Sequence, residues 1–443
     1  MKTLKRYFPV FLVCVVIPLV LVGSIIQRQS RFSPIDEGAH YDYVQRLPGS
    51  GIPVMGDTML QSSLDFISCR GVDLPGLVLP SCNSPEVRPE GFPGGGLNYE
   101  AQQPPLYYLS AAPVAWVLSN WLGLGELGAS RTVGVFWLIA ALILIYLTGQ
   151  TLRVNRGIML GAMFAVTASP VVAYHTAIVS NDAAVLFFAA LIAYIAALTH
   201  TNQRSYVWWG FGAALIAGFV KTTIVTAVFA AALLLLVAVL PEIRSNLRTF
   251  WKSSQWKIYG NTAIGMIAGG LLAAISWNLY SRYSATLPLK TFPTYDVLRN
   301  AEVGVVSIMR EALVSFGPLT DSFTPFGAWN GDVTQILSMF TKVAIIGIGT
   351  AGLFGSSRVW WRAAGPIVLF GTYAGTVALG LGIWKTYNMT PGLVSRYGIL
   401  MLPTLILVLA AGIQGPVAKR VATGVSVATG LLFSWIIFQT PLI

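Results

Sequence analysis

About eleven apolar stretches, most of roughly 15–23 residues, dominate this 443-residue chain and restrict it to folds built inside a bilayer. The first runs from Phe8 to Ile26. The next five cover approximately Val133–Thr148, Ile158–Tyr174, Ala183–Leu198, Tyr206–Val220 and Thr222–Leu240. The last five cover Ile258–Tyr280, Val343–Phe354, Ala363–Ile383, Tyr397–Ile413 and Val421–Phe438. In hydrocarbon every backbone N–H and C=O must be satisfied internally, so such stretches form helices. With 55% hydrophobic and 10% charged residues, too little polar surface remains to clothe a soluble domain of this size. The expected fold class is therefore an all-α polytopic membrane protein, one integral membrane domain over residues 1–443. No small-residue cleavage site follows the first stretch, which reads as a retained span.

The charges set the orientation. Pro105–Leu122 is apolar enough to cross, but it carries Pro104, Pro105, Pro113, Ser119 and Asn120. If it lies flat, the short loops with Arg153, Arg156, Arg204, Arg358, Arg362, Lys419 and Arg420 share one side with the basic loop Glu242–Lys257. Half of the 28 Lys and Arg then face the cytoplasm with a single acid, Glu242. If it crosses, these loops land outside, against the positive-inside tendency. An interfacial helix near 105–122 on the outer face is the expectation. The net charge of +11 is thus a topology signal and no sign of nucleic acid.

Two large extracytoplasmic regions follow from this orientation, 28–131 and 281–342. The first holds ten of the 17 acids, and a loop this long exceeds what connection requires. It contains Cys69 and Cys82, which on the oxidising side are expected to pair. It also contains Asp36, Glu37 and His40, just past the first span. Charges at a membrane boundary are costly unless solvated or used. Asp182, in Ser180-Asn181-Asp182, and His175 lie at the outer ends of the third and fourth spans. Ser, Asn and Asp are also the residues that cap helices, and the two roles are compatible. Lys221, Lys385 and Arg396 place cations at the same surface. They are suited to a lipid phosphate, or else snorkel to the interface.

Five segments resemble the GT-C superfamily of membrane glycosyltransferases. Asp36-Glu37-Gly38-Ala39-His40 resembles the Asp-Glu motif in the first external loop of protein O-mannosyltransferases. Glu100, with Pro104-Pro105-Leu106 and Tyr108, resembles the Glu-x-x-x-Pro-Pro-Leu-x-Tyr segment before their interfacial helix. Ser169-Pro170 with Ser180-Asn181-Asp182 resembles the superfamily's second acidic motif. Val220-Lys221-Thr222 resembles the Thr-Lys-Gly phosphate site of aminoarabinose transferases, and Ser395-Arg396-Tyr397 with Leu402-Pro403 resembles a Gly-Arg-Tyr…Leu-Pro pattern of related bacterial proteins. Two departures stand out. Ala101-Gln102 replaces a lysine that aminoarabinose transferases carry after the glutamate. The chain also ends soon after its last span, without the large soluble domain of oligosaccharyltransferases.

The resemblance implies a GT-C-like bundle of about 11 transmembrane helices in a prokaryotic plasma membrane. It implies transfer of a sugar from a polyprenyl-phosphate donor to a hydroxyl-bearing glycan, lipid or protein acceptor outside the cytoplasm. Asp36 would be the general base, with Glu37 as its alternate, since neighbouring side chains diverge and only one faces a substrate. His40, Glu100, His175, Asp182, Lys221, Lys385 and Arg396 would bind donor or acceptor. No cofactor is demanded, although two or three of these carboxylates with His175 could bind a divalent cation. The competing classes are a flippase or transporter of lipid-linked sugars and a non-catalytic envelope-assembly subunit.

Overall fold

The computed structural model describes residues 2–245, 249–287, 304–320, 324–325, 331–355, 359–387 and 392–442. The region read as the second external loop, 281–342, is therefore described only in part. Arg248 and Arg358, two of the cations assigned to the inner side, lie outside the described residues. Within them the chain is helical, with two isolated bridges, Phe32 to Val72 and Thr58 to Leu97, as its only strand-like pairing.

Among the described residues seven helices are long and apolar enough to cross a membrane. In chain order the helices that matter begin with α1 (Tyr7–Arg28), α2 (Glu37–Ser50), α3 (Gln61–Arg70) and α4 (Leu106–Leu122). There follow α5 (Glu126–Leu152), α6 (Arg156–Thr167), α7 (Pro170–Ala177), α8 (Asn181–Asn202) and α9 (Val207–Val220). The remainder are α10 (Thr222–Val237), α11 (Trp256–Ser284), α12 (Gly331–Gly355), α13 (Val359–Tyr387), α14 (Ser395–Gly412) and α15 (Pro416–Gln439). The crossing candidates are α1, α5, α8, α11, α13, α14 and α15. The chain is an all-α polytopic membrane protein.

The expected third span is not one straight helix. It is bent by 58° between α6 and α7. Pro170 has no N–H to continue the ladder, and Ser169 instead accepts a hydrogen bond from the Val172 N–H to start a new helix. Counting that pair as one span gives eight. Three further expected spans, Tyr206–Val220, Thr222–Leu240 and Val343–Phe354, coincide with shorter apolar helices. The 14 residues of α9 span only about 21 Å at 1.5 Å each. The break between α9 and α10 is Lys221, in extended backbone.

The core is a continuous apolar cluster through α1, α5, α6, α7, α8 and α14. Helix α5 packs on α8, α6 on α15 and α9 on α11. The last pair meets through small side chains such as Ala213, Ala214 and Ala217 against Ala263 and Ala273, as helices in lipid pack. Large apolar side chains project outward instead: Trp208 is 80% exposed, and Phe8, Phe370 and Leu431 are likewise exposed. On a water-soluble surface such a belt would be untenable, but facing lipid it has no cost. Arg28 closes the first helix on the last by donating to the carbonyls of Ile437, Phe438 and Thr440.

Candidate functional site

The segment after α1 turns back at Phe32, whose N–H donates to the Gly71 carbonyl and whose carbonyl accepts from the Asp73 N–H. Helix α2 then starts from Asp36, held at φ 60° and ψ 2°. Asp tolerates this left-handed region better than most residues, and such backbone clusters at functional sites. Its consequence is to send the two adjacent carboxylates in opposite directions.

Glu37 turns inward and is fully buried. Its Oε1 accepts from Arg131 Nε at 2.7 Å and from the Val179 N–H at 2.9 Å. Its Oε2 accepts from Arg131 Nη2 at 2.8 Å and from the Ser33 N–H at 2.7 Å. Arg131 also donates to the carbonyls of Gln29 and Arg31. With each oxygen accepting two hydrogen bonds, Glu37 ties α1, α5 and the α7–α8 turn together.

Asp36 turns outward. Its Oδ2 accepts from Arg396 Nη2 at 3.1 Å, across 360 residues of sequence. Arg396 Nε lies 3.3 Å from Asp182 Oδ2, and Asp182 Oδ1 is joined to Lys221 Nζ. Lys221 also donates to Asn181 Oδ1 at 3.1 Å. Acid and base thus alternate from Asp36 through Arg396 and Asp182 to Lys221, a neutral row in which each buried charge has a partner. The anion expected beside Lys221 is first of all Asp182. Within the row the side chain of Asp36 is 29% exposed, against 3% for Asp182 and 7% for Lys221. Asp36 is the carboxylate that a molecule arriving from outside can reach.

Local structure sets each member. Ser180 caps the start of α8 by accepting from the Asp182 N–H, which fixes Asn181 and Asp182. The α9–α10 break at Lys221 turns its side chain toward them. Arg396 follows Val394 in extended backbone and opens a tight helical segment, Ser395–Met401. Gly398 lets that segment lie against the Ser315 carbonyl, where a Cβ would sit 1.9 Å from the oxygen. Similarly, Gly134 brings α5 onto the carbonyl of Thr176, where a Cβ would be 2.0 Å away.

Behind this row lies a second buried group. His40 Nδ1 is 2.7 Å from the Tyr108 hydroxyl, and His40 Nε2 is 3.4 Å from Ser180 Oγ and 3.7 Å from Glu100 Oε2. Tyr108 stacks on Tyr43 with centroids 3.7 Å apart, which holds the hydroxyl in place. Glu100 is oriented from behind by Asn98, whose Oδ1 accepts from the Glu100 N–H and whose amide donates to Asp42. Burial, partly offset by Asp36, pushes the His40 imidazolium down to about 3. Burial, reinforced by Asp36, raises the Glu100 carboxyl to about 8. Burial thus favours the neutral form of both groups.

His175 is buried in the last turn of α7, close enough to Asp182 to act on its charge. Lys385 does not join: it is exposed in the last turn of α13, and no described contact links it to the cluster. Cys69 and Cys82 form a disulfide across the first loop. Among the described residues no three His, Cys, Asp or Glu side chains converge on one point as metal ligands. Between Asp36 and Asp182 stands the Arg396 guanidinium, 3.1 Å from the first carboxylate and 3.3 Å from the second. Sequence reasoning missed Arg131, Tyr108 and Asn181 as partners. The available signal for Arg131 was a lone cation at the edge of an apolar span, opposite an acid needing one.

Beside the charged row an apolar cavity of about 640 Å³ runs between α10, α11 and α13. Thr222 and Tyr397 line it, and these are the sequence neighbours of Lys221 and Arg396. Farther along, its walls are Phe229, Leu233, Phe370 and Leu379. A row of paired charges and a largely apolar trough thus share two chain segments, at 221–222 and 396–397.

No protein-family model, no curated protein and no solved structure matches this chain.

Proposed function

We propose that this protein is a GT-C-type glycosyltransferase that moves a sugar from a polyprenyl-phosphate donor to a hydroxyl acceptor outside the cytoplasm. One observation carries the reading: the accessible Asp36 carboxylate shares a charged row with Arg396 and Lys221, whose sequence neighbours Tyr397 and Thr222 line an apolar trough. A lipid-linked phosphate needs this combination, hydrocarbon for the chain and cations for the head.

In this reading the polyprenyl chain lies in the trough, with its phosphate beside Lys221 and Arg396. Arg396 would shift from Asp36 toward the phosphate and release the carboxylate. Asp36 would then take the acceptor proton as its oxygen attacks the anomeric carbon. The bond from that carbon to the phosphate oxygen breaks, and the departing phosphate keeps the electron pair. Arg396 and Lys221 offset the charge it gains. The same proposal includes eleven crossings, made up of the seven long helices, the bent pair, α9, α10 and α12. Helix α4 then lies flat on the outer face with Trp116 and Trp121 against the headgroups, while Trp208 and Trp209 mark the inner interface.

The test is transfer in lipid nanodiscs with a radiolabelled polyprenyl-phosphate sugar and a membrane extract as acceptor. Asp36→Asn preserves size and removes basicity. Turnover should fall by roughly 10²–10⁴ with donor binding retained. Full transfer by Asp36→Asn would remove Asp36 as base. The broken α6–α7 pair also suits a transporter. Movement of the labelled lipid across sealed vesicles, with no transfer and no effect of Asp36→Asn, would favour that reading instead.

A further inference from the structure

We propose that Glu100 Oε2, His40 Nε2 and Ser180 Oγ form a subsite for one ring hydroxyl of the sugar carried by the donor lipid. This rests on the glycosyltransferase reading and adds a recognition element to it. Glu100 is nine-tenths buried, yet its Oε2 has no hydrogen-bond partner among the described residues. Leaving a buried polar oxygen unmatched costs stability, so a fold that positions it so firmly leaves a partner to be supplied. The neighbouring His40 Nε2, at 3.7 Å, is too far for a direct bond. An oxygen placed about 2.8 Å from each atom bridges that gap without strain. Ser180 Oγ, 3.4 Å from the same imidazole nitrogen, adds a third contact.

The surroundings select the ligand class. The titratable and charged groups facing Glu100 are His40 on α2, Asp36 at its start and Tyr108 on α4. Asp182 at the start of α8, Lys221 after α9 and Arg396 before the body of α14 complete the set. An anion in the subsite would meet Asp36 and Asp182, and an ammonium would meet Lys221 and Arg396. A neutral group avoids both. The Tyr108 hydroxyl can donate to or accept from Nδ1, which leaves Nε2 either protonated or bare. A hydroxyl donates once and accepts twice, so it matches either tautomer. A carbonyl, which only accepts, does not. The neutral state of the Glu100 carboxyl near pH 7 makes it a donor to the same oxygen. Asp36 exerts the largest effect of any charge on both groups, which ties the hydroxyl bound here to the sugar at the reaction centre.

The experiment compares binding of a short polyprenyl phosphate with its mannose, glucose, galactose and arabinose conjugates, using full-length protein in nanodiscs. At least one conjugate should bind the wild type more tightly than the bare lipid, by roughly tenfold for one neutral hydrogen-bonded hydroxyl. Glu100→Leu should abolish that gain and leave bare-lipid affinity unchanged. Glu100→Gln, which keeps size and hydrogen bonding, should retain most of it. In the wild type the gain should change as pH rises through about 8, where the carboxyl passes from donor to acceptor, whereas Glu100→Gln should be flat with pH. A purely structural glutamate would not produce that difference in pH profile, and it can be read even if Glu100→Leu fails to fold. The subsite is overturned if no conjugate outbinds the bare lipid, or if the gain survives Glu100→Leu with its pH profile intact. Absence of bare-lipid binding in the wild type is a separate result. It removes the donor reading, and the subsite with it.

Discussion

Replacing Arg131 by methionine should unfold this protein far more readily while leaving every group of the outer charged row in place. Arg131 is 2% exposed and Glu37 is fully buried. The substitution keeps most of the side-chain volume, so the cost is electrostatic. It deletes the bonds at 2.7 and 2.8 Å to the carboxylate, together with the donors to Gln29 and Arg31. Breaking one partner out of a buried pair costs about 3–5 kcal/mol, because the remaining charge has neither water nor counter-ion. The N–H groups of Ser33 and Val179 still reach Glu37, which places the expected loss toward the lower end, about 3 kcal/mol. That is roughly a 150-fold shift in the unfolding equilibrium. Reversible SDS titration in mixed micelles, followed by tryptophan fluorescence, would measure it. Glu37→Gln alone should be destabilising for the converse reason. The double variant should recover part of the loss, with a coupling of about 1–3 kcal/mol. A normal unfolding curve for Arg131→Met together with abolished transfer would refute the assignment and return Glu37 to the chemistry.

Stability should depend on pH through His40 and Glu100 in opposite senses. The His40 pKa is depressed from 6.5 to about 3, so its contribution is complete above 6.5 and is lost as pH falls toward 3. The Glu100 pKa is raised from 4.5 to about 8, so its contribution is complete below 4.5 and is lost as pH rises through 8. Between 4.5 and 6.5 the two slopes cancel; from 6.5 to 8 stability should decline by up to about 1.4 kcal/mol per pH unit. SDS titrations at several pH values would show that decline, and Glu100→Gln should flatten it. Gly398→Ala should displace the segment carrying Arg396, since its Cβ would meet the Ser315 carbonyl at 1.9 Å. Donor affinity should then fall about as far as in Arg396→Ala, and unchanged affinity would show that the segment yields elsewhere. Loss of the Cys69–Cys82 bridge, which closes a sequence separation of 13, should cost about 3 kcal/mol. Intact mass before and after reduction, with unfolding of Cys69→Ser/Cys82→Ser, checks it. If the proposed orientation holds, an impermeant thiol reagent on intact cells should label Val78→Cys, at an 86% exposed position, and not Arg204→Cys. The reverse pattern would invert the topology.

Hydropathy is local, and for that reason the helices were legible without the structure. A stretch such as Glu126–Leu152 must be a buried or lipid-facing helix whatever surrounds it. The bend at Ser169–Pro170 was equally local in origin, being one missing N–H and one cap, but the apolar run continued across it and concealed it. Charged candidates were legible because acids and cations near hydrocarbon are scarce. Asp36, His40, Glu100, Asp182, Lys221 and Arg396 all fall in one cluster. Their pairing was not legible. Whether Asp36 or Glu37 faces outward depends on a left-handed backbone at Asp36 and on Arg131 lying where α5 approaches α1. Whether Lys221 meets Asp182, and whether Lys385 meets anything in the cluster, depends on which helix ends are neighbours. Contacts such as Asp36 to Arg396 join positions 360 residues apart. No periodicity or motif encodes such a distance, because packing of the whole bundle decides it. The sequence alone determined that this is a helical membrane protein with a set of charged residues close to its apolar spans. Only the tertiary structure decided which charges neutralise each other in the interior and which carboxylate remains exposed.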